Sequence, residues 1–291
     1  MPAIDSASSS LSLYATHPLL AIGLLAALAG CSADSAPAAS GAVSPEPTST
    51  DAPPAAGAVA DAAQNPAAPA TQLDPSKTEQ IVKEMLAKAY GEQSFKAADG
   101  CWSHSLDGAN GEVDYCMKPD APKVVATASG TQVYFQTYSD PEADAYSLVD
   151  PGLRGLFAAT VAADGSWKPL AVTPAMDQGQ AGDCGCRNAE LVQVGPALYG
   201  WKSTAGGTWQ GVTVAMNDLQ VPMDGTFRNV SRIPQSVESA PQETVRVQID
   251  PQGAPVAGFY PLKATRTRDG KDVGSTVIAF DPGSKTYPWA Q

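Results

Sequence analysis

From residue 112 onward the chain is a succession of short β-prone runs broken by Gly, Pro, Asn and Asp. Few other folds tolerate that pattern. The runs are Glu112–Met117, Lys123–Ala128, Gln132–Tyr138, Leu156–Ala162, Trp167–Thr173, Glu190–Val194, Leu198–Ser203, Trp209–Met216, Thr226–Val230, Thr244–Ile249, Ala257–Thr265 and Val273–Phe280. Their spacing predicts a mainly β body, a β-sandwich or barrel-like. Asp164-Gly165 and Asp269-Gly270 mark tight hairpin turns, because both residues tolerate positive φ. Pro251 ends the run at Gln248-Ile249-Asp250, since proline has no N–H for a ladder.

A chain of 291 residues holds one or two domains. Asn217-Asp218 leading to Val221-Pro222 reads as a boundary. The expectation is a β-rich domain over 74–217 and a smaller, immunoglobulin-like β region over 218–291, with one continuous β domain as the alternative. One helix precedes the strands. Asp74 caps it, Pro75 suits its first position, and Ile81, Val82, Met85, Leu86 and Ala89 share one face. Gly91 stops it. Lys77, Lys83 and Lys88 are balanced by Glu79 and Glu84, so the helix is expected to pack on the sheet.

Residues 32–73 are rich in Ala, Pro, Ser, Gly and Thr, with no aromatic and no basic residue. Such a stretch buries too little apolar surface to offset chain entropy and reads as a disordered tether. Upstream, Pro18 to Gly30 form an apolar run too short to span a bilayer and of the length of a signal-peptide core. It ends in Leu28-Ala29-Gly30-Cys31, which resembles the lipobox of Gram-negative bacterial lipoproteins. The resemblance implies a signal peptide over 1–30, cleavage before Cys31, and a diacylglycerol thioether on the Cys31 thiol. It covers only the first 31 residues. The n-region departs from the usual pattern in having no Lys or Arg before Lys77. Ser32, rather than Asp, after the cysteine implies sorting to the outer membrane. The lipid bilayer is then a partner through acylated Cys31, strongly held because more than one acyl chain is attached.

The formal charge of −12 argues against sequence-independent nucleic-acid binding, which needs a basic footprint. His17 and His104 are the only histidines, so a multi-histidine metal site is excluded. Gly206-Gly207 lacks the lysine and following helix of a phosphate loop, and no cofactor is expected.

Four cysteines follow Cys31: Cys101, Cys116, Cys184 and Cys186. An even set in an exported chain reads as a disulfide framework with three possible connectivities. The local pairs Cys101–Cys116 and Cys184–Cys186 lose little loop entropy on closing. Crossed pairs remain open, because cysteines two apart on extended chain sit at the limit of bridging and need a turn at Gly185. A strained Cys184–Cys186 bridge would also suit a thiol–disulfide oxidoreductase, but no βαβ pattern surrounds it and Asp183 disfavours a thiolate.

His104 lies close to Ser103, Ser105, Asp107 and Asp114, which raises an envelope hydrolase as a second reading. Neighbours on one loop rarely face each other as triads require. The acidic turn from Asp107 to Asp114 fails calcium-loop spacing at Ala109 and Gly111. Tyr199, Trp201 and Trp209, beside glycine turns, are a candidate ligand surface or else core. Gly179 to Gly211 is the stretch richest in Gly, Cys and Trp and the first place to look for a site. The leading expectation is a non-catalytic, lipid-anchored envelope module that binds a protein or glycan from the periplasmic side.

Overall fold

The computed structural model describes residues 73–291 except 109–110, 129, 210, 238–242 and 290–291. The expected signal segment, Cys31 and residues 31–72 of the expected tether lie outside the described residues.

Helix α1 (Pro75–Tyr90) begins as its sequence dictates. The Asp74 carboxylate accepts from the Ser76 N–H at 2.8 Å, with Pro75 in the first position. Gly91, at φ 91°, ends it and donates to the Ala87 carbonyl at 2.9 Å. After one 3₁₀ turn the chain enters β1 (Phe95–Lys96), β2 (Cys101–Gly108), β3 (Gly111–Pro119), β4 (Lys123–Thr127), β5 (Gly130–Ser139), β6 (Gly152–Val161) and β7 (Trp167–Gln178). These form one antiparallel sheet in the order β1-β2-β3-β5-β6-β7. β4 and β3 share an edge of β5, β4 on residues 130–134 and β3 on residues 137–139.

The second sheet is a meander of β8 (Glu190–Gly195), β9 (Leu198–Trp209), β10 (Val212–Met223), β11 (Thr226–Val237), β12 (Glu243–Ile249), β13 (Leu262–Arg268) and β14 (Lys271–Ile278), each paired with the next. Asp224-Gly225 and Asp269-Gly270 join β10 to β11 and β13 to β14 with positive φ at both residues, as two-residue hairpins favour.

β6 lies between two layers. Leu153, Phe157 and Ala159 point to the core under α1, with Ile81, Met85 and Leu86. Leu156 and Ala158 point the other way, to a core shared with Trp201 and Phe227 of the second sheet. Burial on both faces explains why β6 reads as a continuous apolar run. A third core, including Leu219, Val221, Ile233 and Leu262, fills the far face of the second sheet with Phe259, Phe280 and Tyr287.

The mainly β body with one leading helix is as the sequence predicts. It is a two-sheet arrangement with no closed barrel among the described residues. Several details differ: the run expected over Trp209–Met216 spans the end of β9 and the start of β10, and the run expected over Ala257–Thr265 becomes a strand only from Leu262. The boundary expected between 217 and 218 falls inside β10, where Asn217 and Asp218 are buried mid-strand. Residues 218–278 continue a meander begun at Glu190, so they do not form a separate immunoglobulin-like unit. Cys101–Gly108, expected as loop, is a strand in which Trp102 and Leu106 pack inward. Polar residues at these positions suggested turns. Cross-strand partners instead satisfy them within the sheet.

Candidate functional site

The cysteines pair locally. Cys101–Cys116 staples β2 to β3 with Cα atoms 5.4 Å apart. Cys184–Cys186 closes within the loop between the sheets, with Cα atoms 5.1 Å apart and Gly185 at φ 60° making the bend. All four are buried, so the second bridge braces the loop rather than presenting a reactive disulfide. The loop is pressed onto the start of β6. Ser139 Oγ donates to the Gly182 carbonyl at 2.6 Å and accepts from the Leu153 N–H at 2.8 Å, while the Gly182 N–H donates to the Asp150 carbonyl at 3.3 Å.

His104 does not assemble a triad. It pairs across the ladder with Tyr115, whereas Ser105 pairs with Asp114 and Asp107 with Glu112. Alternation along a strand therefore puts His104 on the face opposite Ser105, Asp107 and Asp114. Its ring meets Tyr90 edge-on at 5.5 Å, and burial lowers its pKa. Ser105 Oγ donates to the Asp114 carboxylate on the other face.

The aromatic surface is also redistributed. Trp201 is 1% exposed and lies between the sheets, and Tyr199 packs at the same core. The side chain of Trp209 lies outside the described residues.

What the two sheets do bring together is a polar cluster that no local motif signals. Arg154 on β6 is fully buried. Its Nε and Nη2 donate to Gln136 Oε1 at 2.9 and 2.6 Å, and its Nη1 donates to Ser203 Oγ at 3.1 Å and Gln220 Oε1 at 3.2 Å. Gln136 passes the interaction on by donating to Asp120 Oδ2 at 3.1 Å. Burial pulls the guanidinium pKa down to about 10, against the pull of nearby Asp218, and the group stays a cation at neutral pH.

Asp218 is buried on β10, between Ser203 of β9 and Arg232 of β11. A bulge builds this row. Leu219 pairs with Ser231 and Gln220 with Asn229, leaving Val230 as the extra residue. Asn229 and Arg232, three apart, thus both flank β10 residues of one face. Asn229 Oδ1 accepts from the N–H groups of Leu219 and Ser231, and its amide donates to Asp218. Burial raises the Asp218 pKa, with Asn229, Arg232 and Arg154 opposing it.

This cluster forms one wall of a cavity of about 1060 Å³. Alternate β10 residues Val214, Met216, Asp218 and Gln220 line one side, and residues 176–180 line the other. Leu148 and Val149 stand at its lip, 78% and 72% exposed. Gln178 is 7% exposed; its amide reaches Ser203 Oγ at 3.5 Å and its carbonyl oxygen has no hydrogen-bond partner among the described residues. Buried acceptors without donors are uncommon in native proteins and ask for an explanation. The stretch from Gly179 to Gly211 does contribute here, through Gly179, Gln180, Ala205, Gly206 and Thr208.

Comparison of the chain with protein-family models, curated proteins and solved structures returns no match.

Proposed function

We propose that the chain is a non-catalytic, lipid-anchored envelope protein whose disulfide-braced β module captures another envelope component in the cavity between β7 and β10. The observation that carries the binding reading is the buried, unpartnered Gln178 oxygen in the wall of that cavity, beside Asp218. The lining combines apolar side chains with a few converging polar groups, the usual make-up of a binding site. Anchoring rests on Leu28-Ala29-Gly30-Cys31, and Ser32 favours the outer membrane with the module facing the periplasm.

Cells making the protein with a photo-reactive residue at Val149 test both halves. Wild type takes up labelled palmitate and fractionates with membranes, and Cys31→Ala does neither. Irradiation yields an adduct at Val149 and none at exposed Lys271, on the far edge of the second sheet. Palmitate on Cys31→Ala overturns the anchor, and equal adducts at both positions or none at Val149 overturn the binding site.

A further inference from the structure

The shape of the cavity narrows its occupant. β7 is the outermost strand of the first sheet, and its free edge changes character along its length. Near Val172 and Thr173 it is covered: the Val172 N–H donates to the Gly225 carbonyl at 3.0 Å and the Phe227 N–H to Thr173 Oγ1 at 2.8 Å. A register shift follows, where Arg154 pairs with Met176 and Leu156 with Thr173, and Pro174 sits inside it. Beyond the shift the second sheet no longer covers the edge, and Met176, Asp177 and Gln178 have no strand on their outer side among the described residues. Met176, Asp177 and Gln178 line the cavity consecutively, as a strand does when it is met along its edge rather than on one face. An uncovered edge is a template for one more strand, and natural sheets normally protect theirs. Contacts with Gly225 and Phe227 protect the first half of β7. The second half opens onto a cavity with an apolar lip.

The polar groups narrow it further. Gln178 Oε1 has no donor among the described residues, and the Asp218 carboxylate, with Asn229 as its hydrogen-bond donor and Arg232 across the ladder offsetting part of its charge, has lone pairs to spare. Both ask for an occupant that brings N–H groups. Asp177 adds a second carboxylate at the lip, and the chain as a whole carries −12. Pro151, Met176, Val214 and Met216 offer apolar contacts beside the polar part of the lining, which includes Arg232.

We infer that the cavity takes an extended polypeptide segment of a partner protein, added as a strand along the outer edge of β7, with alternate apolar side chains on the cavity walls and a Lys or Arg reaching Asp218. This rests on the binding-module reading above and names its ligand class. Main-chain hydrogen bonds supply the affinity in such strand addition, and alternate side chains supply the selectivity.

The purified full chain is titrated with a synthetic peptide of about nine residues, a usual strand length, alternating Val and Thr around a central Lys. Two companions carry Glu in place of that Lys, or N-methyl groups on alternate backbone amides. The Lys peptide is expected to bind, and each companion to bind about tenfold more weakly or worse. Asp218→Asn, its fold checked by its melting curve, is expected to bring the Lys and Glu peptides to within about threefold of each other. Equal binding of the N-methylated peptide overturns strand addition. A Lys-to-Glu ratio unchanged by Asp218→Asn overturns the role of Asp218. If the Val149 adduct proves to be lipid or glycan, the polypeptide is the wrong class while the binding reading stands. If no adduct forms, both fall.

Discussion

The guanidinium of Arg154, on β6, lies 5.8 Å from the ring centroid of Trp201, on β9. This cation–π contact joins the two sheets at their shared core, with the hydrogen bonds to Gln136, Ser203 and Gln220 around it. A buried cation so placed is costly to lose, because its acceptors stay behind without donors.

Arg154→Ala is therefore expected to destabilise the body by about 3–5 kcal/mol. Arg154→Lys recovers little of it, since one ammonium cannot serve acceptors spread over three strands. Thermal melts of the three proteins check this. Equal melting temperatures for wild type and Arg154→Lys contradict the fork geometry as the source of stability.

The contrast between α1 and this cluster explains what is legible in the sequence. Asp74, Pro75 and Gly91 act on backbone groups within a few residues, so both helix ends are readable locally. The strands are readable for the same reason, although most run longer than their apolar cores. β10 extends to Met223 because Asn217, Asp218 and Gln220 find partners across the ladder and between sheets. Asp224-Gly225, six residues past the expected boundary, carries the same hairpin signal as Asp269-Gly270 and marks the true turn. Arg154 meets Gln220 over 66 residues of sequence, and no spacing rule reaches that far. The one local hint is a lone charge inside the apolar run Gly152–Val161.

The two disulfides are expected to differ in weight. Cys101–Cys116 closes a separation of 15 residues, which in the chain-entropy account gives about 3 kcal/mol. Cys184–Cys186 closes a separation of 2, for which the same relation gives about half as much. Cys101→Ala/Cys116→Ala should melt lower than Cys184→Ala/Cys186→Ala. The reverse order would mean that docking of the loop, rather than chain entropy, dominates. Mass spectrometry of unreduced peptides reads the pairing directly.

Gly152 allows that loop to dock. A Cβ there would lie 2.1 Å from the backbone of Asp183 and Cys184. Neither neighbour is a flexible side chain end, so Gly152→Ala must push the loop off β6. Overpacking of this kind typically costs about 1–3 kcal/mol. The same change at Gly165, where nothing lies near, strains only the turn's positive φ of 81°. Amide hydrogen exchange should show residues 179–186 opening in Gly152→Ala and staying protected in Gly165→Ala. Unchanged protection in Gly152→Ala contradicts the contact.

Asp218 sets a pH dependence whose sign follows from its surroundings. Burial raises its pKa, and Asn229, Arg232 and Arg154 lower it less than burial raises it. In the unfolded chain the group titrates near about 3.9. The folded state thus holds the proton to higher pH than the unfolded state does. Stability from this group is full below the unfolded pKa and is lost as pH rises through the folded one. Asp218→Asn removes the ionisation and keeps the shape. At pH 7 the variant is expected to melt a few degrees above wild type, with the gap closing as pH falls to about 4. Calorimetric melts across that range check it. A wild type more stable than Asp218→Asn at pH 7 would mean that the two arginines outweigh burial. Under the binding reading proposed above, a carboxylate kept where an amide would be more stable gives up stability for recognition. The variant that gains in melting temperature is accordingly the one expected to lose the preference for a lysine-bearing peptide.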